Sequence, residues 1–216
     1  MRILIVTGGK VDLEFAGKYL EQEQFDRIIA ADSGLSYCNK LNMVPTDILG
    51  DFDSLDNNKL LEKYEKAGVP VRTFPTRKDY TDTHLAVSYA KELKPDEIII
   101  LGATGTRLDH TLANIGMLEY MAEEGIVCKI VDAHNEVEIL CGKTEKNYKK
   151  PEGKTFFSLI AWNGPVTGID LEGFSYPLKN GMLETAISLG ISNEIVDQYA
   201  TLWMKTGKLL VIQARD

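Results

Sequence analysis

Glu97-Ile98-Ile99-Ile100-Leu101-Gly102-Ala103-Thr104-Gly105-Thr106-Arg107-Leu108-Asp109-His110-Thr111 decides how the first half of this chain folds. A short run of mostly β-branched apolar residues ends in a glycine-containing turn, and a helical pattern over Leu108–Glu124 follows. That is a strand, a tight connection and a crossover helix, the repeating piece of a parallel sheet. The turn's amides can face a phosphate at the helix N-terminus, with Arg107 adding a charged fork. An ordinary strand-to-helix turn, with Asp109 favouring the helix dipole, accounts for the same residues equally well.

The same alternation extends on both sides of this unit. Ile3–Thr7, Arg27–Ala31, Asp47–Gly50, Val69–Phe74 and Val127–Val131 read as further strands, and Asp12–Gln22, Leu35–Leu41, Asn57–Ala67 and Thr81–Glu92 as helices. Strands alternating with helices predict an α/β domain with a parallel sheet. Near residue 135 the helices fade. Glu136–Cys141, Thr155–Trp162, Val166–Leu171, Phe174–Leu178, Ile195–Leu202 and Leu209–Ala214 read as strands broken by Gly, Pro and Asn turns, an antiparallel sandwich or barrel. The polar stretch Gly142–Gly153, with four lysines, reads as a hairpin or a partly mobile loop. Two domains are expected, 1–134 and 135–216.

The chain has 216 residues and 44% hydrophobic content, enough for a sizeable core. Its formal net charge of −8 argues against nucleic acid as the main partner, because binding a phosphate backbone rests on Lys and Arg. An acidic surface suits a cationic substrate better. No apolar run reaches membrane-spanning length, and Ile3-Leu4-Ile5-Val6 is too short for a secretory apolar region, so a cytoplasmic protein with no membrane partner is expected. Cys38, Cys128 and Cys141 are odd in number and lack C-x-x-C spacing, which predicts reduced packing residues.

Three acidic clusters carry the chemistry: Gly50-Asp51-Phe52-Asp53-Ser54, Lys78-Asp79-Tyr80-Thr81-Asp82 and Arg107-Leu108-Asp109-His110. Each follows a predicted strand or closes a turn, so the carboxylates gather at the rim of the sheet where open α/β folds bind ligands. Gathered carboxylates need a counterion, and Mg²⁺ carrying nucleotide phosphates fits their type. Taken singly, each has a plainer reading. Asp51 and Asp53 suit a solvated turn with Ser54 or Asp56 as a cap, and Thr81-Asp82 suits a helix start.

Gly142-Lys143-Thr144 and Gly153-Lys154-Thr155 resemble the end of a P-loop, but Val137 and Tyr148 occupy the position of its first glycine. Thr7-Gly8-Gly9 gives weak support for backbone approach to a phosphate. His110 reads as a ligand contact, whereas His84 and His134 lack metal-like spacing. Trp162, Trp203 and Tyr176 suit core packing better than ring stacking.

Ala31-Asp32-Ser33-Gly34, Gly50–Ser54, Thr81-Asp82, Gly102–Asn114, Leu171–Leu178 and Gly190-Ile191-Ser192-Asn193-Glu194 together resemble the thiamine pyrophosphokinase family, in the right order over nearly the whole chain. The resemblance implies an α/β nucleotide-binding domain followed by a β-sandwich domain for thiamine binding and dimerisation. It also implies a homodimer with active sites at the subunit interface, and transfer of pyrophosphate from ATP to the hydroxyethyl group of thiamine with Mg²⁺. By the same resemblance, Asp51, Asp53, Asp82 and Arg107 are catalytic, with Asp51, Asp53, Asp79 and Asp82 at the metal. Asp32, Ser33, Gly34, Thr81, Thr104, Gly105, Arg107, Asp109 and His110 go to ATP, and Ser192 and Asn193 to thiamine. Ser33 stands where many relatives have glycine, and the aromatic that stacks on thiamine in animal relatives has no clear counterpart. Which carboxylate acts as base stays open. A pyrophosphokinase for another hydroxymethyl heterocycle, such as a pterin, is the nearer alternative, with Ser192-Asn193 speaking for thiamine. A non-catalytic nucleotide sensor is the farther one, and its expected sign, lost carboxylates, is missing.

Overall fold

The computed structural model describes residues 1–52, 58–73 and 79–216, which divide into two compact units, Met1–Ala133 and His134–Asp216. In the first unit, β1 (Arg2–Val6), β2 (Arg27–Ala31), β3 (Asp47–Gly50), β4 (Val71–Thr73), β5 (Glu97–Leu101) and β6 (Val127–Val131) are all parallel to their neighbours. They lie in the order β4-β3-β2-β1-β5-β6. Between them run α1 (Leu13–Gln22), α2 (Gly34–Lys40), α3 (Asn58–Lys66), α4 (Asp82–Glu92) and α5 (Leu108–Glu123).

Side-chain alternation explains why the central strands read as continuous apolar runs. Leu4, Val6, Ala30, Ile48, Ile99 and Leu101 share one core cluster with Ala16, Leu35, Cys38 and Tyr64 of α1, α2 and α3. Ile3, Ile5, Ile29 and Ile100 are equally buried and point to the other face, where α4 packs on β1, β2 and β3 and α5 packs on α4 and β6. From β1 the chain steps outward to β4, then returns to β5 on the other side of β1. This leaves a switch point between β1 and β5, the place where open α/β sheets hold ligands beyond their carboxyl ends.

The second unit is antiparallel. β7 (Asn135–Cys141), β13 (Lys208–Ala214) and β9 (Phe156–Ala161) form one layer, with β13 central. β8 (Thr144–Lys149), β10 (Val166–Glu172), β11 (Leu178–Leu183) and β12 (Tyr199–Met204) form the other, in the order β11-β10-β12-β8. Leu140, Phe157, Leu159, Leu209 and Val211 from the first layer join Tyr148, Val166, Ile169, Leu171, Leu202 and Met204 from the second in one core, which makes a sandwich.

Three expectations in this half need adjusting. In place of a hairpin or a partly mobile loop, Gly142–Gly153 carries a strand, β8, which pairs with β12. Its lysines hid the strand, whose inward signal rests on Tyr148, buried with its hydroxyl donating to Glu138 Oε1 at 3.0 Å. Phe174 is a core residue bridged singly to Ile195, and the β11 ladder starts only at Leu178. Likewise, regular pairing in the predicted Ile195–Leu202 begins at Tyr199. Cys38, Cys128 and Cys141 are not joined in disulfides, and burial pushes the Cys38 thiol up to about 12, as suits a packing residue. Among the described residues, no helix is long and apolar enough to cross a membrane.

Candidate active site

Two turns at the switch point are stitched together. After β1, Thr7 N–H donates to Leu101 O at 2.9 Å and its hydroxyl to Gly102 O at 2.6 Å. Gly9 N–H donates to Gly102 O at 2.9 Å and Lys10 N–H to Thr104 O at 2.8 Å. A Cβ on Gly9 would lie 2.1 Å from Gly102 O and 2.5 Å from Thr104 O, so only glycine allows this approach. From α5, Asn114 Nδ2 donates to Ala103 O at 2.7 Å, and Thr104 Oγ1 donates to Asp132 Oδ2 at 2.7 Å. The glycine turn is thus held by β1, α5 and the residue after β6.

The neighbouring wall comes from β2. Asp32 adopts a left-handed backbone (φ 49°), which Asp tolerates better than most residues. Its N–H donates to Leu49 O at 2.7 Å. Gly34 opens α2 so close to β1 that a Cβ there would sit 2.0 Å from Val6 O. Opposite, Thr81 caps α4 by accepting from His84 N–H at 3.2 Å and sets Asp82 in the first turn.

These pieces enclose a cleft of about 690 Å³, of a size for a small molecule. Asp32, Ser33, Thr81, Asp82, Thr104, Gly105, Arg107 and His110 line it. Gly34, Asp51, Asp79 and Asp109 are not on its wall. Asp51 follows β3 at the same carboxyl edge, and Asp79 is exposed. Asp53 lies outside the described residues, as do Ser54 and Asp56. Arg107 Nε and Nη2 both donate to the Asp109 carboxylate, and this fork holds Asp109 down to about 2. The charged fork assigned to a phosphate therefore already has a partner. His84 lies against Tyr80 in a tilted ring contact at 4.4 Å between centroids, and burial lowers its pKa.

Among the described residues, no three His, Cys, Asp or Glu side chains converge on one point. Mg²⁺ asks little of a protein, one or two carboxylates, with phosphate and water filling its octahedron. Asp82 on the cleft wall and Asp51 at the strand edge are donors of that kind.

In the second unit, Ser192 is exposed with a left-handed backbone (φ 59°), and its N–H donates to Ser158 Oγ at 3.0 Å. Asn193 is buried. Its Nδ2 donates to Tyr176 O at 2.9 Å, and its Oδ1 accepts from Tyr176 N–H at 3.0 Å and Glu194 N–H at 2.9 Å. This amide braces the loop that presents Ser192.

Sequence reasoning overlooked Lys10, Tyr37 and Asn114 on the cleft wall. Asn114 had a readable signal: it falls in register with Met117, Leu118 and Met121 on the buried stripe of α5, where an amide needs a partner. Lys10 had none beyond the two glycines before it.

Residues 17–130 match the family model described as thiamin pyrophosphokinase, catalytic domain, and residues 144–209 match thiamin pyrophosphokinase, vitamin B1 binding domain. The chain is 32% identical over 188 residues to the thiamine pyrophosphokinase of Bacillus subtilis (strain 168), covering 87% of each. Its fold is similar to the crystal structure of thiamine pyrophosphokinase from Bacillus subtilis, with a TM-score of 0.90 and 30% identity across 100% of both chains. It is also similar to that of thiamin pyrophosphokinase from Geobacillus thermodenitrificans, with a TM-score of 0.87 and 27% identity over 100% of this chain and 98% of the other.

Proposed function

This chain belongs to the thiamin pyrophosphokinase family and is an enzyme, and from that premise we propose that it moves pyrophosphate from ATP to thiamine, releasing AMP and thiamine diphosphate. The observation that carries the reading is the cleft at the β1/β5 switch point, where two interlocked glycine turns, Asp32, Asp82 and Arg107 meet. In the reaction, the hydroxyethyl oxygen of thiamine attacks the β-phosphorus. The bond from that phosphorus to the α-phosphate's bridging oxygen breaks, and the hydroxyl proton passes to a carboxylate. Such transfers depend on positioning and charge more than on covalent help.

The residues divide the work by place. Asp32, Ser33, Gly34, Thr81, Thr104, Gly105, Asp109 and His110 shape the nucleotide site, and Arg107 balances charge on the transferred group. Asp51, Asp53 and Asp82 would hold Mg²⁺, with Asp79 as a further candidate ligand, and the ion when bound would supply charge neutralisation across the phosphates. One of these carboxylates also accepts the hydroxyl proton. Ser192 hydrogen-bonds the aminopyrimidine of thiamine, and Asn193 belongs to the same site, its amide fixing the loop. The acidic surroundings favour the thiazolium cation, with a net charge of −8 on the chain. The working form is a homodimer with sites at the subunit interface, and cysteines outside any disulfide suit a cytoplasmic setting.

The test is an assay with ATP, Mg²⁺ and thiamine. AMP and thiamine diphosphate are expected in equal amounts. Release of ADP, or turnover with a hydroxymethyl pterin but not with thiamine, would overturn the assignment.

A further inference from the structure

Asp32, Asp82, Lys10 and Arg107 face the same cleft. A triphosphate entering it adds several negative charges beside two carboxylates, so the site gains from a further cation beside Arg107. Arg107 shares its charge with Asp109, on which its fork closes through two nitrogens. Among the described residues, Lys10 makes no ion pair. Its backbone is nevertheless fixed, with its N–H on Thr104 O at 2.8 Å and Gly9 pinned against Gly102. Lys10 thus carries a point charge on a long stem from a fixed backbone at the cleft wall, suited to meeting phosphate oxygens.

We propose that Lys10 is a second cation, beside Arg107, that binds the triphosphate in this cleft. The proposal rests on the nucleotide reading above and adds a residue to it. A surface lysine serving only solubility would leave nucleotide affinity untouched.

Calorimetric titration of the full chain with ATP, AMP and adenosine, in the presence of magnesium, tests this. Lys10→Ala should weaken ATP binding about tenfold or more, the size of one lost charge-assisted contact. AMP should lose less, adenosine little, and Lys10→Arg should restore most of the affinity for ATP. Unchanged ATP affinity in Lys10→Ala overturns the proposal. Equal losses for ATP and adenosine overturn it as well, because the residue would then serve the shape of the turn. Should Lys10→Ala melt early, Lys10→Gln carries the same comparison. Failure of the nucleotide reading shows separately, as a wild-type protein that binds no ATP, and Lys10 falls with it.

Discussion

Asp82 stands one residue beyond the helix cap Thr81 and also on the cleft wall. As a helix residue it contributes little, since an acid in the first turn stabilises by about 0.3–1 kcal/mol and Thr81 already supplies the cap. As a carboxylate beside phosphates it matters far more. One variant separates the two roles. Asp82→Asn should leave unfolding free energy within about 1 kcal/mol of wild type, while turnover falls about 100-fold or more as transition-state charge loses its counterpart. Urea titration and AMP release measure the two effects, and near-normal turnover in a stable variant would remove Asp82 from the reacting centre. Thr81-Asp82 was legible in the sequence because a cap and a first-turn acid have a local pattern. The bracing role of Asn193 was not. Its residue type announces hydrogen bonding, but its partner, the backbone of Tyr176, is set by the loop's fold.

The strands show the same limit at the scale of elements. β3 reads as an apolar strand, yet it opens with Asp47, which is 1% exposed. Arg27 Nη2 from β2 donates to its Oδ2 at 2.7 Å, Thr46 Oγ1 donates to the same oxygen at 2.8 Å, and Tyr89 of α4 donates to its Oδ1 at 2.8 Å. One carboxylate thus ties two strands to a helix. Burial opposes its charge, but these donors outweigh burial and hold its pKa below the usual carboxylate range. A depressed folded-state pKa means stability that is fully present above the unfolded value near 4 and lost as pH falls through the lower, folded value. Asp47→Asn should therefore cost about 1–3 kcal/mol at pH 7, less than a fully buried pair because Arg27 keeps a third of its side chain in water. The same variant should flatten the acid limb of stability below about pH 4. Denaturant midpoints at pH 7 and pH 3 check both, and an unchanged midpoint at pH 7 would show that the three donors do not stabilise the fold. The strand was readable because its residues are apolar and adjacent. The anchor was not, because Arg27 and Tyr89 approach only after the sheet is assembled.

At the scale of the molecule, periodicity separated an α/β half from an antiparallel half because 3.6-residue and two-residue patterns differ along the chain itself. It could not order the strands, since the placement of β5 beside β1 depends on contacts between distant segments. The proposed site inherits that division. Asp51 and Asp82 belong to the first unit, Ser192 and Asn193 to the second, and the proposed homodimer joins such halves at each subunit interface. Two inactive proteins then complement one another. Asp82→Asn protein has a sound second unit, and the double variant Ser192→Ala, Asn193→Ala has a sound first unit. Random pairing places half of the subunit pairs in heterodimers, each with one site whose halves are both intact. Mixing equal amounts should restore activity to about a quarter of wild type if sites act independently. Subunit exchange must be shown in the same sample, for example by mass spectrometry of differently tagged chains. Full exchange without recovery would mean that one chain supplies both halves of each site, and the shared-site proposal would fall while the assignment of the cleft to the nucleotide would stand.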